Sequence, residues 1–352
     1  MIHIACNIDS NFTIHCAVTL TSLFANNRNS EFCVHIIAST LPEADQKALS
    51  SIAESYGNKI CFYFPEKDLL NNFSIKKSGN RISIATYYRC LLSRILPVNI
   101  DKILYMDCDI VVLNDISEFW NTDITQYAIG CIEDIGSDEE EYYSRLQYDK
   151  KYSYFNAGVL LINLKYWREH KIDEMCEQYF LAHSDRIRFN DQDLLNALLY
   201  KDKLFVPFRW NVQDTFYRRT YSHKVKEHSG LKEALLHPAI LHYTNKKPWN
   251  YDSMHPLKQE YFKYLDMTPW KGTRPIIDFQ TRVITGFKRL LYITGIKKSK
   301  LILDGATGSN LQKRGMPVGV CPEEWIIENS EVLKQLQIEY IQAVSYTHLT
   351  LP

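Results

Sequence analysis

The chain lacks an excess of charge of either sign, since Lys plus Arg and Asp plus Glu number 41 each among its 352 residues. A balanced protein carries no field that draws it to nucleic acid, so no nucleic-acid partner is expected. It also lacks an apolar run of the roughly 18 residues that a membrane-spanning helix needs. The first apolar stretch begins at Ile2, which leaves no room for a signal peptide. These absences predict a cytoplasmic protein that is at most peripheral on the inner face of a membrane.

Closely spaced cysteines are missing as well. Nine cysteines are scattered singly from Cys6 to Cys321, without a Cys-x-x-Cys pair. Such a dispersed, odd-numbered set predicts reduced thiols rather than a disulfide framework or a zinc site. Aromatic residues are abundant by contrast, at 13% of the chain. Large core side chains account for most of them, and a smaller share suits surfaces that stack on sugar rings.

Apolar stretches of strand length alternate with helical patterns as far as about residue 270. Strands are predicted at residues 2–6, 32–38, 60–64, 102–106, 155–164 and 239–243, and apolar character resumes at 111–113. Helices are predicted at 12–24, 42–56, 84–95 and 190–200. This alternation predicts crossover connections and a largely parallel sheet. Ser10 or Asn11 would cap the first helix, and Arg89 would point away from the apolar stripe of the third. Residues 136–154, acidic and rich in tyrosine, are predicted to form a surface excursion.

Two aspartates, Asp107 and Asp109, come directly after the apolar residues 102–106. In open α/β sheets, ligands collect beyond the carboxyl ends of the strands. Two acids one residue apart at such a strand end can reach the same hard divalent cation, which would bridge the phosphates of a nucleotide diphosphate. An Asp-x-Asp pair also occurs in ordinary turns, but the apolar residues on both sides favour the metal interpretation here.

His242 ends a late predicted strand, and Lys247 follows it within the segment Lys247-Pro248-Trp249. A neutral imidazole added to two carboxylates gives a mixed oxygen and nitrogen ligand set that favours Mn²⁺ over Ca²⁺. Lys247 would then reach the phosphates as a point charge. Taken alone, His242 would more often be a strand-end histidine with satisfied hydrogen bonds.

The run Asn190-Asp191-Gln192-Asp193 opens a predicted helix and allows two interpretations. In the structural one, Asn190 is the N-cap and the acids of the first turn complement the helix dipole. In the functional one, Asp191 or Gln192 projects into a cleft and holds sugar hydroxyls.

Six segments, in this order, resemble glycosyltransferase family 8, which includes bacterial lipooligosaccharide galactosyltransferases and glycogenin. They are residues 8–12, 81–89, 104–109, 155–164 and 190–193, and the stretch from His242-Tyr243 to Lys247-Pro248-Trp249. The resemblance covers residues 1–270. It implies a GT-A nucleotide-diphospho-sugar transferase fold, which is an α/β domain whose mixed, mostly parallel sheet is flanked by helices.

The resemblance also implies roles for the matching residues. Those that would contact the nucleotide and its diphosphate are Asp9, Asn11, Asp107 and Lys247. Those that would hold Mn²⁺ or Mg²⁺ are Asp107, Asp109 and His242. Those that would surround the donor hexose are Arg89, Asn156, Asp191 and Gln192, with Gln192 and Asp191 as the catalytic candidates. The implied reaction retains the anomeric configuration, with UDP-glucose or UDP-galactose as donor and a saccharide or lipid-linked saccharide, such as lipopolysaccharide, as acceptor.

Other functions stay open from the sequence. A sugar nucleotidyltransferase shares a nucleotide-binding α/β core, but it needs a glycine-rich phosphate loop after the first strand, and residues 7–12 contain no glycine. A sugar-nucleotide binding module, or a primer protein that glycosylates itself, would use the same fold without transfer to a separate acceptor.

The character of the chain changes beyond about residue 270. Residues 281–300 are basic and amphipathic, a pattern typical of a helix at an anionic membrane surface, or of one packed on a catalytic domain. Residues 301–343 resemble an N-terminal fragment of a homocysteine S-methyltransferase, without the cysteines that hold zinc in those enzymes. We therefore expect a transferase domain over 1–270, a basic extension over 271–300, and a foreign fragment over 301–352, joined by a chimeric reading frame or a genuine fusion.

Overall fold

The computed structural model describes residues 1–73, 84–137, 139–218, 221–227, 229–275 and 306–317, together with residues 325, 328, 329, 331, 332, 335 and 339. The chain divides into two compact units, residues 1–281 and 282–352. The first unit contains every residue that the sequence proposes for the functional site. The domain boundaries at 270 and 300 stay predictions.

The strands of the described residues form two sheets. They are β1 (Ile2–Asn7), β2 (Phe32–Ile37), β3 (Lys59–Tyr63), β4 (Lys102–Met106), β5 (Ile110–Val112), β6 (Ile129–Glu133), β7 (Phe155–Asn163), β8 (Lys203–Phe205), β9 (Val212–Gln213) and β10 (Ile240–His242). The main sheet has the order β3-β2-β1-β4-β7-β6-β8, and a smaller one has the order β5-β10-β9. In the main sheet β7 runs antiparallel to β4 and β6, and the other neighbours are parallel.

Helices connect and cover these strands. The α-helices are α1 (Thr13–Asn26), α2 (Glu43–Ser55), α3 (Leu92–Ile95), α4 (Ser117–Trp120), α5 (Glu140–Leu146), α6 (Leu164–Glu169), α7 (Ile172–His183), α8 (Asn190–Leu199), α9 (Ser222–Glu227), α10 (Ser229–Leu236), α11 (Lys258–Leu265) and α12 (Ala306–Lys313). Short 3₁₀ helices span Ser10–Phe12, Lys67–Leu70, Ile84–Leu91, Lys150–Tyr152, Ser184–Arg186, Phe208–Trp210 and Asp214–Tyr217.

Apolar layers lie on both faces of the main sheet. On one face, Ile4 of β1 belongs to a buried cluster that includes Leu20 of α1 and Leu49 of α2. On the other face, Ala5 belongs to a second cluster that includes Trp167 of α6. Because successive side chains of a strand point to opposite faces, a strand covered on both sides is apolar throughout, and all six residues of β2 are buried. The predicted mixed, mostly parallel α/β fold is confirmed.

Several predicted helix details are wrong. The first α-helix begins at Thr13, and neither Ser10 nor Asn11 caps it: a 3₁₀ turn precedes it, and the Asp9 carboxylate accepts a hydrogen bond from the Asn11 backbone N–H. The predicted helix over 84–95 is a 3₁₀ helix as far as Leu91 and becomes α-helical from Leu92.

The tyrosine-rich segment 136–154 is more ordered than the surface excursion predicted for it. It contains α5 and a 3₁₀ helix. Buried side chains within it form a separate apolar cluster, whose members include Tyr143, Leu146, Tyr148 and Tyr154. Its tyrosines pack on one another, as the ring contacts Tyr142–Tyr154 and Tyr143–Tyr148 show.

The eight cysteines of the described residues are all free thiols, which confirms the predicted reduced state for those positions. No helix among the described residues is long and apolar enough to cross a membrane. In the second unit, Leu311 and Met316 pack with Trp325 and Val332. The predicted basic amphipathic segment, residues 281–300, lies outside the described residues.

Candidate metal centre

Two sheets meet where the acidic motif lies. Asp107 follows β4 directly, and its backbone N–H donates to the carbonyl oxygen of Gly158 in β7 at 2.8 Å. In the smaller sheet β10 runs antiparallel to β5, with His242 opposite Ile110. This register continues beyond the strands, because the Tyr243 N–H donates to the Asp109 carbonyl oxygen at 3.0 Å. The pairing therefore brings His242 to the two aspartates from a distant part of the chain.

Asp107, Asp109 and His242 point one ligand atom each at a common position. The three atoms lie within 4.8 Å of one another. His242 Nε2 is 3.1 Å from Asp109 Oδ1 and 3.7 Å from Asp107 Oδ2. Among the described residues, the buried Asp109 Oδ1 has no hydrogen-bond donor. Two carboxylates and one imidazole, with a buried oxygen that lacks a donor, fit a divalent cation such as Mn²⁺ or Mg²⁺.

Gly158 has no side chain, and the space beside it is occupied by the His242 ring and the Asp107 carboxylate. A Cβ atom built at this position would lie 2.2 Å from His242 Cε1 and 2.7 Å from Asp107 Oδ2. Both distances are shorter than any tolerable contact, so a larger side chain would displace His242 or Asp107. The glycine thus serves close packing at the centre rather than a turn.

Lys247 supplies a cation beside the centre. Its Nζ donates to Asp109 Oδ2 and, at 2.6 Å, to the carbonyl oxygen of Tyr243. Burial alone would raise the pKa of the Asp109 carboxyl, but Lys247 and His242 outweigh burial and hold that pKa well below its usual range. Asp109 is therefore an anion, as a metal ligand must be.

Arg89 joins Asp107 to Asp191. Its Nη2 donates to Asp107 Oδ1 at 2.6 Å, its Nε lies 2.9 Å from Asp191 Oδ2, and its Nη1 donates to the Ala157 carbonyl oxygen at 2.7 Å. The guanidinium also stacks on the Tyr105 ring, 4.4 Å from its centroid. The prediction for Arg89 assumed α-helical spacing, whereas residues 84–91 form a 3₁₀ helix, and the Arg89 side chain is only 8% exposed. Nη1 and Nη2 each donate a hydrogen bond, whereas the contact of Nε with Asp191 is an ion pair without hydrogen-bond geometry.

The capping interpretation of Asn190 is wrong. The N-cap position of α8 is Phe189, without a side-chain cap, and Asn190 has a left-handed backbone with φ of 46°. Asp191 does lie in the first turn. Its carboxylate is nevertheless engaged away from the helix end, since Thr86 Oγ1 donates to Oδ1 and Arg89 faces Oδ2. Asp191 is thus one half of a buried ion pair.

Gln192 and Asn156 are held by hydrogen bonds as well. Gln192 Oε1 accepts from the Ala157 N–H at 2.9 Å, and Gln192 Nε2 donates to Asp134 Oδ2 at 3.4 Å. Asn156 Oδ1 accepts from the Gly158 N–H at 3.0 Å. Burial raises the pKa of the Asp134 carboxyl. Asp134 directly follows β6, so the strand-end pattern that identified Asp107 points to it too, although the sequence analysis missed it.

A cavity of about 670 Å³ opens onto the centre. The sequence-predicted residues that line it are Asp9, Arg89, Asp107, Asp109, Asn156, Asp191, Gln192, His242 and Lys247. Asn11 is not among the lining residues. Lining residues that the sequence analysis missed include Thr86, Tyr105, Asp134, Arg188, Gln213, Thr215 and Arg218. Thr86 and Tyr105 lie within segments 81–89 and 104–109, whose resemblance assigned them no role, and the other five lie outside the motifs named above.

Comparison with known proteins identifies relatives of this chain. The family model described as "Glycosyl transferase family 8" matches residues 3–253. General stress protein A of Bacillus subtilis is 29% identical over 279 residues, covering 77% of this chain and 95% of its own. Lipopolysaccharide 1,2-glucosyltransferase of Escherichia coli is 29% identical over 307 residues, covering 84% and 88%. The crystal structure of the galactosyltransferase LgtC with donor and acceptor sugar analogues superposes with a TM-score of 0.68 at 25% identity, covering 80% and 99%. None of these matches supports the resemblance of residues 301–343 to a homocysteine S-methyltransferase.

The space at Gly158 provides a first test. Gly158→Ala places a methyl group where His242 and Asp107 now lie, so we expect Mn²⁺ affinity to fall by ~10–100-fold, the usual effect of misplacing metal ligands. Gly130→Ala in β6 is the matched control, because its nearest neighbour would be a side-chain carbon of Ile124 at 3.3 Å. Calorimetric titration of Mn²⁺ measures both. Unchanged affinity in Gly158→Ala would contradict the assigned geometry.

The buried ion pair of Asp191 provides a second test. Asp191→Ala leaves Arg89 with one partner fewer in a buried position, so we expect a loss of about 3 kcal/mol in the free energy of unfolding. Asp173→Ala is the control, because its partner Arg94 is 38% exposed, and we expect a loss below about 1 kcal/mol. Urea denaturation measures both. Equal losses would show that the Asp191 pair is not structurally important.

Proposed function

The chain belongs to glycosyl transferase family 8, and from that membership we propose a retaining, metal-dependent enzyme that transfers a hexose from a UDP-sugar to a saccharide acceptor. One observation carries the proposal: Asp107, Asp109 and His242 converge at the cavity, with a buried oxygen of Asp109 that lacks a hydrogen-bond donor. A nucleotide-binding module without catalysis would not need a second set of polar groups, Asp191 and Gln192, in the same cavity.

In this proposal Asp107, Asp109 and His242 hold Mn²⁺ or Mg²⁺. The cation would neutralise charge on the diphosphate leaving group when it is bound. Lys247 lies beside Asp109 on the cavity wall, where its ammonium would add a second positive charge to the diphosphate. Asp9, which follows β1 and lines the cavity, would contact the ribose and uracil, whereas the position of Asn11 outside the lining does not support the nucleotide contact that the resemblance implies for it.

The hexose would lie against the wall that Arg89, Asn156, Asp191 and Gln192 form. Arg89 already pairs with Asp107 and Asp191, so its main contribution is to orient both carboxylates and to balance their charge. One lone pair of Gln192 Oε1 accepts from Ala157, and the other is available to the reacting sugar. Gln192 would thus stabilise positive charge as it develops at the anomeric carbon.

We propose a substitution on the front face of the sugar ring. The acceptor hydroxyl would approach from the side of the departing diphosphate, and the diphosphate would take its proton. Configuration is retained because the new bond forms on the face from which the old bond leaves. Asp191 is held by Arg89 and Thr86, which suits hydrogen bonds to the hexose hydroxyls rather than attack on carbon.

The donor would be UDP-glucose or UDP-galactose, since the relatives described above are named as a glucosyltransferase and a galactosyltransferase. A cell-envelope glycan such as lipopolysaccharide is the proposed acceptor class, by analogy with the Escherichia coli relative. A lipid-linked acceptor would place the enzyme in the cytoplasm, peripheral on the inner face of the membrane.

A screen of UDP-sugars for UDP release tests the donor and the metal together. We expect hydrolysis of UDP-glucose or UDP-galactose that EDTA abolishes and Mn²⁺ restores. Asp109→Asn should lower kcat/KM by ~100-fold or more, because the cation that balances the diphosphate loses a charged ligand. Asp123→Asn, at a carboxylate that caps a surface turn, is the control and should behave as wild type.

The outcomes separate the alternatives. Full activity in EDTA would refute the metal assignment. Binding of UDP-sugars without UDP release would identify a binding module. A mass increase of the protein itself would identify a self-glycosylating primer instead of an enzyme with a separate acceptor.

We further propose that residues 271–300 dock the enzyme on anionic membranes and that residues 301–352 take no part in catalysis. The family match ends at residue 253, and the proposed site residues end at Lys247.

A chain shortened to residue 300 should keep UDP-sugar hydrolysis and bind anionic vesicles at low salt. A chain shortened to residue 271 should hydrolyse UDP-sugar and lose vesicle binding, which co-sedimentation measures. Inactivity of a folded chain ending at residue 300 would contradict this division.

A further inference from the structure

Asn211 is a buried amide behind the candidate metal centre. It is 0% exposed, and it is not among the residues that line the cavity. It lies just before β9, which pairs in parallel with β10 and places Gln213 beside His242. The Asn211 side chain thereby contacts His242 from the side away from Asp107 and Asp109.

The orientation of this amide follows from a chain of hydrogen bonds of known polarity. The Gly158 backbone N–H can only donate, so the Asn156 atom that it meets at 3.0 Å is the oxygen. An amide oxygen can only accept, so the Asn211 atom that lies 2.9 Å from Asn156 Oδ1 is the nitrogen. The Asn211 oxygen must then be the atom that lies 2.9 Å from His242 Nδ1.

We propose that Asn211 is a positioning residue that fixes the tautomer of His242. Because Asn211 Oδ1 can only accept, His242 Nδ1 must carry the ring proton. A neutral ring with its proton on Nδ1 has its lone pair on Nε2. Nε2 faces Asp109 Oδ1 and Asp107 Oδ2, so the lone pair points into the ligand position. The inference rests on the proposed function for the identity of the ligand, a divalent cation.

The contact between His242 and Asp109 supports the same tautomer. Nε2 lies 3.1 Å from Asp109 Oδ1, yet that oxygen has no hydrogen-bond donor among the described residues. With the proton on Nδ1, no hydrogen lies between Nε2 and Asp109 Oδ1. The Asn211 contact places the single proton of a neutral ring on Nδ1. A cation bound by both Nε2 and Asp109 Oδ1 would then take the place that a proton on Nε2 could otherwise fill.

Gly158 links this chain to the geometry of the centre. Its N–H begins the chain of hydrogen bonds, and its missing side chain makes room for the His242 ring. One residue of β7 therefore helps to determine both where the imidazole lies and which nitrogen it presents. This gives Asn156, which the sequence analysis placed at the donor hexose, a second role as the anchor of Asn211.

The test combines two measurements on full-length protein. Nitrogen NMR of labelled histidine in the metal-free protein, at alkaline pH where an imidazole carries one proton, identifies the protonated nitrogen of His242. Calorimetric titration with Mn²⁺ alone, without nucleotide, gives the metal affinity. The variants are Asn211→Leu, which removes the acceptor, and Asn211→Asp, which keeps an acceptor for the Nδ1 proton. Asn58→Leu is the matched control, because Asn58 is a buried amide that binds the N–H of Phe32 at the start of β2 and the carbonyl oxygen of Tyr56 at the end of α2.

We expect the wild-type ring to carry its proton on Nδ1. In Asn211→Leu we expect a mixture of tautomers and a ~10–100-fold loss of Mn²⁺ affinity, the range found when the residue that orients a metal-binding histidine is removed. Asn211→Asp should keep the Nδ1 proton, and Asn58→Leu should keep both the tautomer and the affinity. A merely structural role for Asn211 would lower stability without changing the tautomer.

A wild-type ring with its proton on Nε2 would overturn the proposal, and so would unchanged Mn²⁺ affinity in a folded Asn211→Leu protein. If Asn211→Leu does not fold, the wild-type tautomer and its retention in Asn211→Asp decide the matter. A wild-type protein that binds no Mn²⁺ would refute the proposed metal function, whereas the tautomer of metal-free His242 would still decide the role of Asn211.

Discussion

Three carboxylates, those of Asp107, Asp109 and Asp191, share one cavity wall, and their mutual repulsion is the constraint on which the rest of the site depends. Buried anions are stable only when they are paired or bind a metal. Arg89 lies between Asp107 and Asp191, and Lys247 faces Asp109. The remaining negative charge is turned toward His242 Nε2, where a divalent cation would balance it. In the proposed function, the same cation would also balance the charge of the donor diphosphate.

The parts of the structure that sequence predicted well are those specified by local chemistry. The strand before Asp107 was predicted at residues 102–106, and β4 occupies those residues, because a buried parallel strand is apolar throughout and ends where polar residues begin. Asp107 and Asp109 followed from that end. His242 and Lys247 were placed correctly beside them, which the resemblance to family 8 implied and which spacing alone could not show.

The residues that sequence missed depend on contacts between distant segments. Asn211 acquires its role only when β9 pairs with β10, and Asp134 only when β6 lies two strands from β4. Asn190 resembles a helix cap in sequence, but its left-handed backbone turns Asp191 toward Arg89 instead. Gly158 shows no turn signal because its purpose is space for His242. Each case is a tertiary demand that overrides or hides a local pattern.

The claim that His242 and the two aspartates hold the cation can be tested by pulsed electron paramagnetic resonance of the Mn²⁺-loaded protein with isotope-labelled histidine. The account predicts the hyperfine coupling of one directly bound imidazole nitrogen in the wild type, and its disappearance in His242→Gln at saturating Mn²⁺. A fully loaded wild-type protein without nitrogen coupling, or a coupling that persists in His242→Gln, would contradict the account.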